Sequence, residues 1–163
     1  MIVRPLLPLF VWAAAAAAPS SARAEFDPGQ AWLNAGFYSY HYQRNRGLED
    51  ANPGIGIEWP LNEQFSLTGG LFRNSDRERS HYLGVYYMPF ELGGAKIGAA
   101  VGGFDGYPNM KNGGWFAAVV PTVAFEGRHW GLNVAIIPEL KDRLYGAITF
   151  QLKYRFSAPP QDD

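Results

Sequence analysis

The stretch Leu144-Tyr145-Gly146-Ala147-Ile148-Thr149-Phe150-Gln151-Leu152-Lys153-Tyr154-Arg155-Phe156 alternates from Ala147 onward. Ile148, Phe150, Leu152, Tyr154 and Phe156 take one parity; Thr149, Gln151, Lys153 and Arg155 take the other. Strand side chains point to opposite faces with period two, so this is a half-apolar β-strand with aromatics gathered at one end. The pattern leaves two barrels open. A soluble barrel turns its apolar set inward, whereas a membrane barrel turns it outward and keeps polar groups in the lumen.

Outward from this segment, seven more read as strands: residues 32–42, 54–61, 64–73, 81–89, 95–104, 115–125 and 130–138. Several reach the length of about 9–11 residues that a tilted membrane-spanning strand needs. The connections alternate. Residues 62–63, 90–94 and 126–129 are short; 43–53, 74–80 and 105–114 are longer, and 139–143 is intermediate. Even-stranded membrane barrels have short inner turns and longer outer loops, and the alternation has that phase. No helical crossover exists for a parallel sheet. The expectation is an all-β, eight-stranded antiparallel transmembrane β-barrel over residues 25–163.

The segment before it reads as a targeting signal. Arg4 gives a positive start, residues 6–18 are apolar, and Ala22-Arg23-Ala24 offers a small-x-small cleavage site. The apolar run is too short to span a bilayer as a helix. Residues 1–24 are therefore expected to be a cleaved signal peptide, and the destination a bacterial outer membrane. The chain has no cysteine, which excludes disulfides and thiolate metal sites. A net charge of −1 gives no sign of nucleic-acid binding. No metal or organic cofactor is implied, and a monomer is expected.

Strand parity assigns faces. Ile55, Ile57 and Trp59 point outward, leaving Gly54, Gly56 and Glu58 inside; Ile97, Ala99 and Val101 point outward, leaving Gly98, Ala100 and Gly102 inside. An eight-stranded lumen is only wide enough to be filled by side chains or to hold one small ligand. The small inner residues either leave room for a ligand or permit bulges and curvature.

Polar groups gather at the expected outer rim. His41 lies near the outer end of the first strand, and Asn74-Ser75-Asp76 where the third enters its loop. A histidine can serve as general base and a neighbouring serine needs one to become a nucleophile, although such a run is more often an ordinary turn. Arg44, Arg46, Arg73, Arg77 and Arg79 occupy the first two outer loops, with Lys111, Lys141 and Arg143 in the others. Guanidinium forks suit phosphates, such as those of lipopolysaccharide. Two prolines interrupt strand patterns, Pro121 and Pro138. Proline cannot donate to a ladder, so both point to a locally unpaired seam between the sixth and seventh strands, a lateral gap through which an acyl chain could pass.

These features resemble the lipid A palmitoyltransferases of the PagP family, over residues 38–156. Leu71-Phe72-Arg73-Asn74-Ser75 is similar to that family's third-strand segment ending in Asp-Ser, and His41 matches its first-strand histidine. Val120-Pro121 and Ile137-Pro138 match its proline-containing sixth and seventh strands, and residues 145–156 its aromatic last strand. The resemblance implies transfer of a palmitoyl-like chain from a glycerophospholipid to lipid A. It implies catalytic roles for His41, Ser75 and the acid position, and a lateral gap at the prolines. Two departures stand out. Asn74 replaces the family's acid, with Asp76 the nearest substitute, and Tyr86 falls near the small residue that floors the family's acyl pocket. The rival readings are a non-enzymatic structural or adhesive barrel, a lipid A deacylase, and a soluble lipid-binding barrel.

Overall fold

A computed structural model describes residues 28–141 and 143–157; the expected signal segment, residues 1–24, lies outside them. The chain is all-β. After a 3-10 turn at Pro28–Gln30 come β1 (Trp32–His41), β2 (Ala51–Pro60), β3 (Phe65–Arg73), β4 (Arg79–Leu92), β5 (Ala95–Phe104), a second 3-10 turn at Lys111–Gly113, β6 (Phe116–Glu126), β7 (Trp130–Ile137) and β8 (Ala147–Tyr154). Each strand pairs antiparallel with its sequence neighbours, and β8 pairs with β1 to close the barrel. Closure gives every strand a neighbour on both sides, so none lies at a sheet edge along its whole length. The long loops lie together at one end, called outer here, and the short turns at the other.

The alternation that identified β8 is realised through the whole wall. Leu83 and Val119 are 67% and 61% exposed on the outside, whereas Gln151 and Lys153 are each 1% exposed inside. Ile55 and Ile57 point outward and Glu58 inward, as the parity predicts. The apolar set is therefore on the exterior and the polar set in the lumen.

Three strand limits differ from expectation by three residues, and two share a cause. β2 starts at Ala51 rather than at residue 54, and β4 runs on to Leu92 rather than stopping at residue 89. Each carries a proline that reads as a terminator, Pro53 or Pro89. Both prolines sit at register shifts: pairing jumps from Ala35–Ile55 to Phe37–Asn52 beside Pro53, and from Tyr87–Ala99 to Phe90–Ile97 beside Pro89. A bulge leaves one residue unpaired, so a missing N–H costs no ladder bond. Glycines face both bulges. A Cβ on Gly36 would collide with the Asn52 carbonyl, and one on Gly98 with that of Tyr87. The last strand is shorter than read, because residues 144–146 belong to the preceding loop.

The inner half of the lumen is filled. Lys153 donates to Glu58 at 2.8 Å and to Glu126 at 2.6 Å, and Lys96 donates to Glu126 at 2.9 Å. Asn133 donates to the second oxygen of Glu58 at 3.0 Å. Trp32, fully buried, lies beneath with the Lys153 ammonium 4.9 Å and the Arg155 guanidinium 4.2 Å from its ring centre. Two lysines thus balance two carboxylates; Lys153 and Glu58 are almost wholly shielded from solvent, while Lys96 and Glu126 are partly exposed. Removing one partner from such a cluster leaves a buried charge uncompensated, which costs about 3–5 kcal/mol. Lys153→Ala is expected to lower stability by about that amount, read from urea unfolding of the barrel refolded in lipid vesicles. Adding Glu58→Gln should recover part of the loss. A Lys153→Ala barrel as stable as the parent would show that this cluster does not hold the inner half together.

Candidate functional site

The outer half of the lumen is open. A cavity of about 100 Å³ lies there, bounded on β8 by Ala147 and Thr149, on β7 by Ala135 and Ile137, and on β6 by Val120 and Thr122. The next inward residues on these strands, Gln151, Asn133 and Ala124, lie beyond it. Tyr86 forms the boundary. Its ring touches both the cavity and the small space above Lys96 and Glu126, and its hydroxyl accepts from Asn133 at 3.3 Å. Phe37, Phe72 and Tyr82 stack edge-on around the deep part, with centroids 4.9 to 6.1 Å apart. The polar side chains His41, Ser75 and Asp76 stand nearer the outer loops. The cavity is apolar at depth and polar at its mouth.

His41, 4% exposed, ends β1 on the inward face. Its Nδ1 lies 3.0 Å from Oδ1 of Asp50, whose other oxygen lies 3.4 Å from Arg44. Ser39, two residues earlier on the same face, donates to Oδ1 of Asn52 at 2.7 Å, and Asn52 Nδ2 approaches Ser75 Oγ at 3.5 Å. The backbone joins the two loops here, because Glu49 N–H donates to the Ser75 carbonyl at 3.0 Å. Asp76 also lines the cavity. Burial pushes its carboxyl above the usual carboxylate range, with Glu78 adding to the rise and nearby His41 opposing it. Tyr107, in the loop before β6, is pushed far above an ordinary phenol by burial and by Asp76.

The structure brings His41, Ser75 and Asp76 to one cavity but not Asn74. Asn74 is fully buried and builds the loop. Its amide nitrogen donates to Ser80 Oγ at 2.9 Å and to the Gly106 carbonyl at 2.8 Å, while its oxygen accepts from the N–H groups of Asp76 and Glu78. With both hydrogens and the oxygen occupied, it has no donor left for a reacting oxygen. The arginines also part company. Arg44 holds Asp50 and lies over the Tyr40 ring at 4.7 Å; Arg46 bonds Gln43; Arg77 pairs with Glu49 at 2.9 Å. Arg73 and Arg79 face each other across the β3–β4 ladder on the exterior, Arg73 donating to the Arg77 carbonyl. None of these five lines the cavity. Arg143 does.

The prolines border a break in the wall. The β6–β7 ladder runs from Glu126–Gly131 to Thr122–Ala135 and has no pair beyond, although β6 continues to pair with β5 as far as Phe116. Pro121 is the first residue past the last pair, and Pro138 follows the end of β7. Thr122 Oγ donates to the Val120 carbonyl at 2.9 Å at this point. Because Val120 and Ile137 both line the cavity, the unpaired stretch lies in the cavity's side wall.

Folding raises the Asp76 pKa, so the folded state holds that proton more tightly than the unfolded chain does. The associated stability is present below the unfolded carboxylate's range and is lost as pH rises through the folded value. Asp76→Asn should therefore gain stability over the parent at neutral pH and lose that advantage as the pH falls to about 4. Urea midpoints at the two pH values measure this, and an advantage that does not shrink on acidification would overturn it.

No protein-family model and no curated protein matches the sequence of this chain.

Proposed function

We propose that the chain is an outer-membrane acyltransferase, moving a fatty acyl chain from a glycerophospholipid to a hydroxyl of lipid A. The observation that carries the reading is a buried histidine at the mouth of a blind, apolar-floored cavity whose side wall is unpaired. The apolar exterior supports the membrane setting, since a barrel with polar groups inside and apolar groups outside suits a bilayer. A gap in the wall between β6 and β7 would let an acyl chain pass from the bilayer into the lumen without its headgroup crossing the rim.

His41 is the base. The acceptor hydroxyl oxygen attacks the ester carbonyl carbon of the donor as its proton passes to the imidazole. The carbonyl oxygen takes the negative charge in the tetrahedral intermediate, and a preorganised donor there stabilises it. Asn52 fits this role better than Asn74: it is 2% exposed, lines the cavity and is oriented by the Ser39 hydroxyl. Collapse breaks the bond to the glycerol oxygen, which takes the proton from His41 and leaves as a lysophospholipid. Atoms balance without a cofactor. Ser75 accepts from Asn52, and this fits a substrate-positioning hydroxyl rather than a nucleophile.

Tyr86 sets the length of the acyl chain. A large ring across the lumen stops the chain well short of the inner turns, so a donor chain shorter than palmitoyl is favoured. The test is mass spectrometry of lipid A from a Gram-negative host with and without the gene. The parent should add one acyl mass, His41→Ala should cut that addition by about 10²–10⁴-fold, and Tyr86→Gly should shift it to longer chains. Lipid A of unchanged mass would sink the reading, and a fully active His41→Ala would remove His41 from it.

A further inference from the structure

We infer that Asp50, immediately before β2, is the positioning residue of this site, fixing the tautomer of His41 so that Nε2 faces the cavity as a bare base. The inference rests on the acyl-transfer reading for its kinetic consequence, but not for its structural one.

An ionised carboxylate only accepts hydrogen bonds. At 3.0 Å from Asp50 Oδ1, a neutral His41 ring must therefore carry its hydrogen on Nδ1. The second nitrogen is then left with a free lone pair. Asp50 is itself held from three sides. Its carbonyl accepts from the Ser39 N–H at 2.7 Å, Arg44 approaches its outer oxygen, and the chain on either side is fixed by Glu49 N–H and by Asn52. The carboxylate is 30% exposed and the imidazole 5%. The base is thus buried while its orienting partner keeps contact with solvent.

The alternative orienting acid is Asp76, which also lies near His41 and lines the cavity. The geometry favours Asp50, because the hydrogen bond to the ring is made by Asp50. Arg44 acts with it. Its place is behind the carboxylate rather than on a lipid phosphate.

The tautomer can be read without any turnover, by ¹⁵N NMR of histidine-labelled protein in detergent micelles at alkaline pH. His81 and His129 are assigned by their own substitutions. The parent should show His41 with a protonated Nδ1 and an unprotonated Nε2. Asp50→Asn should lose this uniform state, Asp50→Glu should keep it, and Asp76→Asn should leave it unchanged. In the acyl-transfer assay Asp50→Asn should lower kcat on the order of 10²-fold or more with KM little altered. A parent ring protonated on Nε2, or a tautomer indifferent to Asp50→Asn, overturns the inference. The expected tautomers in a protein that adds no acyl chain would leave Asp50's role intact and overturn the function instead.

Discussion

Lys153 places a full positive charge in the middle of a narrow barrel with its side chain wholly removed from solvent. That is tolerable only where opposite charge is close, because the desolvation cost of an isolated ammonium exceeds what folding can supply. Glu58 comes from β2 and Glu126 from β6, on different sides of the barrel, so the ammonium ties distant parts of the wall across the lumen. Lys96, Asn133 and the Trp32 face complete the set. These side chains consume the inner half of an interior that is only just wide enough to be filled. What remains is an outer cavity with a solid floor. The position of the ionic cluster therefore decides the depth of the site, and Tyr86, bonded to Asn133 on the cluster's upper side, is where that decision is expressed.

Much of this was legible from period-two alternation. All eight strands are legible, and the facing of the second and fifth with them, because an exterior set such as Ile55, Ile57 and Val101 is written directly into residue order. Glu58 was placed inside by the same rule. What alternation does not encode is the partner across the lumen. Nothing in the sequence links Lys153 to Glu58, 95 residues away, since contacts through the barrel depend on shear as well as parity. The residues that fill the inner half were visible singly and unreadable as a group.

The misplaced residues follow from one rule applied too strictly. Asn52-Pro53-Gly54 has the chemistry of a turn, and proline followed by glycine usually ends a strand. Here it is a bulge. The strand begins at Ala51, earlier than the turn chemistry suggests, which sets Asn52, and Asp50 just before the strand, against Ser39 and His41. Reading residues 43–53 as loop hid both. Residue chemistry and the resemblance to the palmitoyltransferases both single out Asn74-Ser75-Asp76 instead. Of those three, Asn74 is spent on closing its own loop against Gly106, while Ser75 and Asp76 do reach the cavity. The arginines are a related case. Composition puts them at the rim, where Arg44 pairs with Asp50 and Arg77 with Glu49, and charge density alone does not say which way the forks point.

Pro121 shows why a proline inside a closed barrel carries information that Pro53 and Pro89 do not. At a bulge, the missing N–H falls where the ladder is already interrupted. Pro121 is different: β6 keeps its pairing with β5 on one side and loses β7 on the other. A closed barrel gains its strength from having no edge, and here a stretch of edge is restored in the half of the wall beside the cavity. The inner half bears no such break, because there the β6–β7 ladder is complete to Glu126, the residue that Lys153 and Lys96 hold. The two halves are thus complementary. Charge pairing across the lumen makes the inner end rigid, and that rigidity lets the outer end give up backbone pairing on one side without the barrel coming apart.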